Sequence, residues 1–504
     1  MRHFFILFAF VSSMFFASGN AKTFSQKRLT NFYDIYLLQE KEKLAEAGLT
    51  NHPPSITPTP TPIGPFFPPP NPPPPPFKTG LLPIVLVNNS GLPDNQVYVL
   101  VTGVSLDSQF QVWGNIDTSS GVATLQDVAL TDNSTSFSYL LSDLPATSGG
   151  HVIYIPQIRS GLIWFSMSNK LSMTVVNVSP EIPALQIVQP NFTSPADVNY
   201  ATNFDIFEFA YLLAGAPQVA TDATAVSFFS LPLYGYLAGA TSASSNTGLY
   251  QPRSYIMSQA AALFATAPTA SQWNKLLLTS GGATLRLLST GKAIAANLFD
   301  ANYLDNAASY GYSYISDIWT GASSFYKQPN VCNMSVTVTV PSTATYTYQG
   351  SVHLDNTFVF TSSDGGPTVT FPAPVTSPIP TGTTTFNIFS AINFITPLPT
   401  AGTAADAVSK LFQEAIIAGL VPTRNTLSLS YLSSNQGSFY TVNSNLSPAG
   451  QTSGPWYDLY SKALHRLGSI YTYGFDEPLW PQVLLGGPFT DNVTYMGITI
   501  GSVQ

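Results

Sequence analysis

Charge is scarce in this chain. Of 504 residues, 18 are Lys or Arg and 26 are Asp or Glu, giving a net of 18 − 26 = −8. Charged residues make up 9% of the chain, against about 25% in average globular composition. No basic run is longer than the Lys27, Arg28 pair. Phosphate-backbone binding needs clustered Lys and Arg, so nucleic acid is excluded as a partner. The single cysteine, Cys332, excludes an intrachain disulfide. Beyond residue 78 the only histidines are His151, His353 and His465, far apart, with no His-x-x-x-His and no Cys pair, so neither a metal site nor a cofactor is expected. A GxSxG elbow and a GxxxxGK(S/T) loop are both missing, which sets aside serine hydrolysis and phosphate cradling.

What fills the space is Gly, Pro, Ser, Thr, Asn and Tyr, a mix common in extracellular β-rich proteins. Residues 1–21, MRHFFILFAFVSSMFFASGNA, combine a short basic start, an apolar stretch and small residues before Lys22. They read as a signal peptide, too short for a comfortable membrane span, and the expected location is extracellular or at the cell envelope. Residues 22–50 carry nine charges between Lys22 and Glu46, while Leu29, Phe32, Ile35, Tyr36 and Leu38 recur at three- to four-residue spacing. That spacing predicts an amphipathic helix, suited either to an envelope partner or to packing on its own protein. Between Asn51 and Phe77, 14 of 27 residues are Pro. Such a run lacks backbone donors and extends as a semi-rigid spacer, here read as a Pro-rich linker.

From about 78 to 235 the pattern is mainly short strands and turns, as in LPIVLVNNSGLPDNQVYVLVTGV and HVIYIPQIRSGLIWFSMSNKLSMTVV. From about 236 to 490 helical periods alternate with returning strands. Helices are expected in YIMSQAAALFATA, in SQWNKLLL, across Ala283 to Tyr326, in AADAVSKLFQEAIIAGL and in WYDLYSKALHRLG; strands in MSVTVTV, TATYTYQGSVHL and NTFVFTS. Residues 491–504 read as a closing strand. The fold class is α+β, an all-β unit joined to a mixed one.

Carboxylates are the remaining candidates for chemistry. In NFDIFEFAYLL, alternation puts Glu208 on one face with Phe204, Ile206 and Ala210, and Asp205 on the other with Phe207, Phe209 and Tyr211. An acid on an apolar face has its charged form disfavoured, as a general acid near neutral pH requires. An edge-strand Glu open to solvent fits the same pattern.

Several segments, in order, resemble glycoside hydrolase family 64, the laminaripentaose-producing β-1,3-glucanases: VNNSGLPDNQVYVLVTG, YIPQIRSGLIWFSMSNKL, FDIFEFAY, VSFFSLPL, WYDLYSKALHRLG, YTYGFDEP and VTYMGITIG. They run from about Leu81 to Gly501. The resemblance implies a thaumatin-like β-barrel or sandwich and a mixed α/β domain flanking a broad groove, with inverting hydrolysis of β-1,3-glucan. It also implies that Glu208 is the general acid. The family's base is an Asp in a VDxFxLP pattern, and Ser227 stands at that place. A hydroxyl cannot replace the base unaided, which leaves Asp222, in the intervening AGAPQVATDAT loop, as an alternative. Asp476 and Glu477 match a late acidic pair on the groove wall, with turn or capping duties as the other reading. Asp205 and the rings of Tyr154, Trp164, Tyr211 and Tyr234 are candidate glucan contacts, core packing being the other fate for the rings. A glucan hydrolase, a glucan-binding protein without catalysis and an envelope structural protein all remain open from sequence.

Overall fold

A computed structural model describes residues 66–504 apart from 109, 179–183, 215, 240–245, 268, 311–313, 321–331, 339–343, 401–402, 419–420, 422–425, 429–457 and 476–483. The signal peptide, the amphipathic helix, the first part of the Pro-rich run, Asp476 and Glu477 lie outside the described residues.

Two open sheets face each other. The six-stranded sheet has the order Asn246–Gly248, Leu233–Ala238, Tyr495–Ile500, Leu82–Asn88, Gly150–Ile155 and Ala146–Thr147. The C-terminal strand lies inside it, parallel to the first strand (Ile84 with Met496 through Asn88 with Ile500) and antiparallel to Leu233–Ala238. The eight-stranded sheet runs Leu484–Asp491, Ala216–Ala223, Phe204–Ala214, Ile158–Met167, Val97–Val104, Gln111–Ile116 and Ala123–Asp127, with Ser138–Leu140 also paired to Val97–Val104. Period-2 alternation produces this layering. Leu82, Ile84, Leu86, Ile153, Met496 and Ile498 from one sheet, and Val99, Val101, Ile163, Phe165, Phe207 and Phe209 from the other, are buried in one core. Neither sheet closes on itself, so the architecture among the described residues is a sandwich rather than a closed barrel.

The division at about 235 is crossed in both directions: Asn246–Gly248 and Tyr495–Ile500 belong to the six-stranded sheet, and Leu484–Asp491 to the eight-stranded one. Between them lie helices and a five-stranded sheet, Val369–Phe371, Phe358–Ser362, Ala344–Val352, Cys332–Val338 and Thr426–Ser428. The helix Ala404–Ile417 starts where Thr403 accepts the Asp406 N–H. It buries Val408, Leu411, Phe412, Ala415 and Ile416, and the Phe412 ring centre lies 4.8 Å from those of Phe358 and Phe371. Cys332 is buried in this sheet, and desolvation pushes its thiol up to about 12, so it is inert as a nucleophile.

Two expectations change. Leu277–Leu278, at the end of one expected helix, and Ala283–Leu288, at the start of another, lie instead in two strands, Leu277–Ser280 and Ala283–Leu288, that pair with each other, the second pairing also with Phe228–Phe229; β-sheet partners override a local pattern that suits either state. AGAPQVATDAT is not a loop but carries the strand Ala216–Ala223.

Gly235 marks how closely the sheets approach, because a Cβ there would stand 2.3 Å from Cζ of Phe207. We expect Gly235→Ala to cost about 1–3 kcal/mol through overpacking, read as a lower urea midpoint. An unchanged midpoint would contradict the facing of these two sheets.

Candidate active site

The hairpin that holds Glu208 is paired residue by residue from Ala214 with Ala216 to Phe207 with Ala223, and Glu208 falls directly opposite Asp222. Directly opposed residues of an antiparallel pair share a face, with Cβ atoms about 4.5–5.5 Å apart. On its other side Glu208 is opposite Leu162, which is opposite Thr102, which is opposite Trp113. One row across the outer face of the sheet therefore reads Trp113, Thr102, Leu162, Glu208 and Asp222, and Asp222 pairs in register with Leu484 of the edge strand. Glu208 and Leu162 are half-buried, while Asp222 is 3% exposed. The Thr221 hydroxyl donates to the Glu208 carbonyl at 2.6 Å, tying the two strands at this position.

One row away, Trp164 is opposite Ile206 on the same face, buried, and its indole N–H donates to Thr102 Oγ1 at 3.0 Å. The other three candidate rings lie elsewhere. Tyr211 belongs to the inner face and packs in the sandwich core. Tyr234 is buried on the six-stranded sheet, edge-on to Tyr250 at 5.5 Å between ring centres. Tyr154, also buried, donates its hydroxyl to the Pro76 carbonyl at 3.0 Å. None of the four presents an exposed ring face.

Asp205 points inward. It is 3% exposed and accepts backbone N–H groups from Ser230 at 2.7 Å, Leu231 at 2.8 Å and Ile206 at 2.9 Å. Burial pushes its carboxyl up to about 7, against the pull of those donors and of Arg286. Arg286 is itself fully buried, donates to the Tyr200 and Thr202 carbonyls, and stands 5.0 Å from the Phe204 ring centre. Arg253 donates to the Ser230 carbonyl at 2.6 Å, closing the same knot. Asp205 thus ties the 226–231 segment to the start of the Glu208 strand.

That segment carries Ser227. It is half-buried, and its carbonyl accepts the Ser289 N–H at 3.0 Å. The next residue, Phe228, packs on Phe204 at 5.2 Å between ring centres. Phe204 precedes Glu208 by four residues, roughly 13 Å of strand rise. The structure therefore brings Glu208 and Asp222 together and leaves Ser227 near the start of the strand. Sequence reasoning missed Thr102 and Leu162 as row neighbours. The signal for the pairing lay in AGAP: a hairpin centred between Ala214 and Ala216 puts 208 opposite 222.

Two carboxyl side chains thus sit side by side on the face of the eight-stranded sheet turned away from the sandwich core. The family model described as β-1,3-glucanase, glycoside hydrolase family 64, matches residues 80–477, and the chain belongs to that family. Among solved structures it is similar to a β-1,3-glucanase domain of this family from Clostridium beijerinckii, with TM-score 0.59, 16% identity, and coverage of 85% of this chain and 100% of that one. It is also similar to a laminaripentaose-producing β-1,3-glucanase in complex with laminaritetraose, with TM-score 0.60, 18% identity, and coverage of 85% and 100%. At these identities the likeness is one of fold. No curated protein matches the chain in sequence.

The Asp205 knot has a pH signature. The carboxyl titrates at about 7 when folded against 3.8 as its ordinary value, so the folded state binds the extra proton between these limits. Its contribution to stability is full below about pH 4 and is lost as pH rises through 7, by at most about 1.4 kcal/mol per pH unit. Urea midpoints of the parent should fall across that window relative to Asp205→Asn. A parent-minus-variant difference that stays flat from pH 4 to 7 would remove the buried titration.

Proposed function

We propose that the protein is a secreted β-1,3-glucan hydrolase in which Glu208 is the general acid and Asp222, not Ser227, is the general base. The observation that carries this reading is the opposition of Glu208 and Asp222 in the hairpin register. Glu208, half-exposed, reaches a chain laid over the sheet face and protonates the glycosidic oxygen as the bond breaks. Asp222, one methylene shorter and seated deeper, takes a proton from a water attacking the anomeric carbon from the opposite side. An inverting path needs carboxyl groups roughly 6.5–9.5 Å apart, so this reading requires the longer Glu208 side chain to extend away from Asp222 over bound glucan. The glucan lies in a groove between this face and the helical part, with a thaumatin-like sandwich beneath. Family membership supports the substrate class, and the leader-like residues 1–21 support export. Contact with the cell envelope falls to the N-terminal helix.

Reducing-sugar release from β-1,3-glucan, beside a pull-down on the insoluble polymer, tests the assignment. Glu208→Gln and Asp222→Asn should each lower hydrolysis by about 10²–10⁴ while binding persists. With an aryl glucoside whose leaving group needs no proton, Glu208→Gln should regain rate and Asp222→Asn should not. Ser227→Asp should leave activity unchanged or lower it. A parent that binds glucan without cutting it, and that gains hydrolysis with Ser227→Asp, would overturn the base assignment in favour of a binding protein.

A further inference from the structure

The final part of the Pro-rich run does not hang free. Pro72 is buried, and its carbonyl accepts the Tyr495 hydroxyl at 2.5 Å. The Pro76 carbonyl accepts the Tyr154 hydroxyl. Lys78 donates to the Ser120 carbonyl at 2.8 Å and stands 4.0 Å over the Tyr154 ring. Earlier in the run, Phe66 meets Tyr255 at 4.9 Å between ring centres. Two glycines make room: a Cβ at Gly497 would be 2.7 Å from Cγ of Pro72, and one at Gly149 would be 2.5 Å from Cδ of Pro73. The Phe66 contact is to the helix Arg253–Ala265; the Pro72 and Pro76 contacts lie on the outer face of the six-stranded sheet, beside the small apolar cluster of Val85, Ala238 and Tyr495 with Tyr236 against it.

We infer that this sheet face is a polyproline-docking groove whose occupant is the chain's own segment 66–78, which straps the N-terminal module to the side of the sandwich opposite Glu208. Proline fits because its φ is already fixed, so docking orders little that was free. Its missing donors leave carbonyls for tyrosine hydroxyls to bind, and tyrosine rings supply the apolar walls, as in polyproline-recognition modules. Only residues before 66 then remain as spacer. The strap lies on the side of the sandwich away from the Glu208 face and leaves that face clear for a polymer. The docking itself stands independently of the glucanase reading.

Limited trypsin digestion of the full chain, followed by intact-fragment mass, tests the strap. Cleavage at Lys43–Leu44 should be fast, and the fragment starting at Leu44 should persist, because the docked Lys78–Thr79 bond is cut only from an opened state. Pro72→Asp, which puts a charge at the buried contact, should speed the Lys78–Thr79 cut by at least about tenfold, since such cleavage follows the open population. Gly497→Ala should do the same from the sheet side, and Pro70→Asp, at an exposed position, should not. Should Gly497→Ala fail to fold, Pro72→Asp still decides, because it changes no residue of the sheet. Equal cutting at Lys43 and Lys78 in the parent, or equal rates for Pro72→Asp and Pro70→Asp, would overturn the inference.

Discussion

The pairing of Ala214 with Ala216 fixes every later partner along one hairpin, and the site depends on that register. A slip of one residue would send Glu208 to the core face, where an unpaired charge costs several kcal/mol, and would turn Phe207 and Phe209 out of the core. The buried inner face makes such a slip prohibitive. Ala223, Phe207, Ile163 and Val101 line up across four strands, so the hydrophobic core holds the two carboxyl side chains opposite each other on the outside. Asp205 secures the same strand at its start, where its three backbone donors, the buried Arg286 and the half-buried Arg253 lock the crossing segment in place. Packing on one face thus fixes the positions of the carboxyl groups on the other, the preorganisation that the proposed hydrolysis would need.

Much of this was legible in the chain itself. Period-2 alternation in FDIFEFAY separated the Glu208 face from the Asp205 face, and the structure keeps that separation. What alternation does not reveal is which face looks into the core: both carry aromatic and aliphatic residues, and only the second sheet decides. The ordered segments pointed to family 64, which the match over 80–477 shows. The position of Asp222 was hidden by composition. Ala, Gly, Pro and Thr in AGAPQVATDAT look like loop residues, yet the strand forms because partners on both sides saturate its backbone groups.

The aromatic residues were the least legible. In a chain with 13% aromatic content, rings chosen for sugar stacking have many other duties, and Tyr154, Trp164, Tyr211 and Tyr234 are all buried. Tyr154 is engaged by the proline strap, Trp164 by Thr102, Tyr211 by the core and Tyr234 by Tyr250. The proline run shows the same limit. Its composition foretells extension but not adhesion, because the surface it adheres to is assembled from strands that lie more than 400 residues apart in the chain.

The central claim is that Glu208 and Asp222 act as one unit on β-1,3-glucan. A double-mutant cycle on kcat measures this directly, using the parent, Glu208→Gln, Asp222→Asn and the double variant. Groups that serve the same displacement are strongly non-additive. The double variant should be about as slow as the slower single variant. Losses that multiply, or a parent with no hydrolysis to lose, would contradict it.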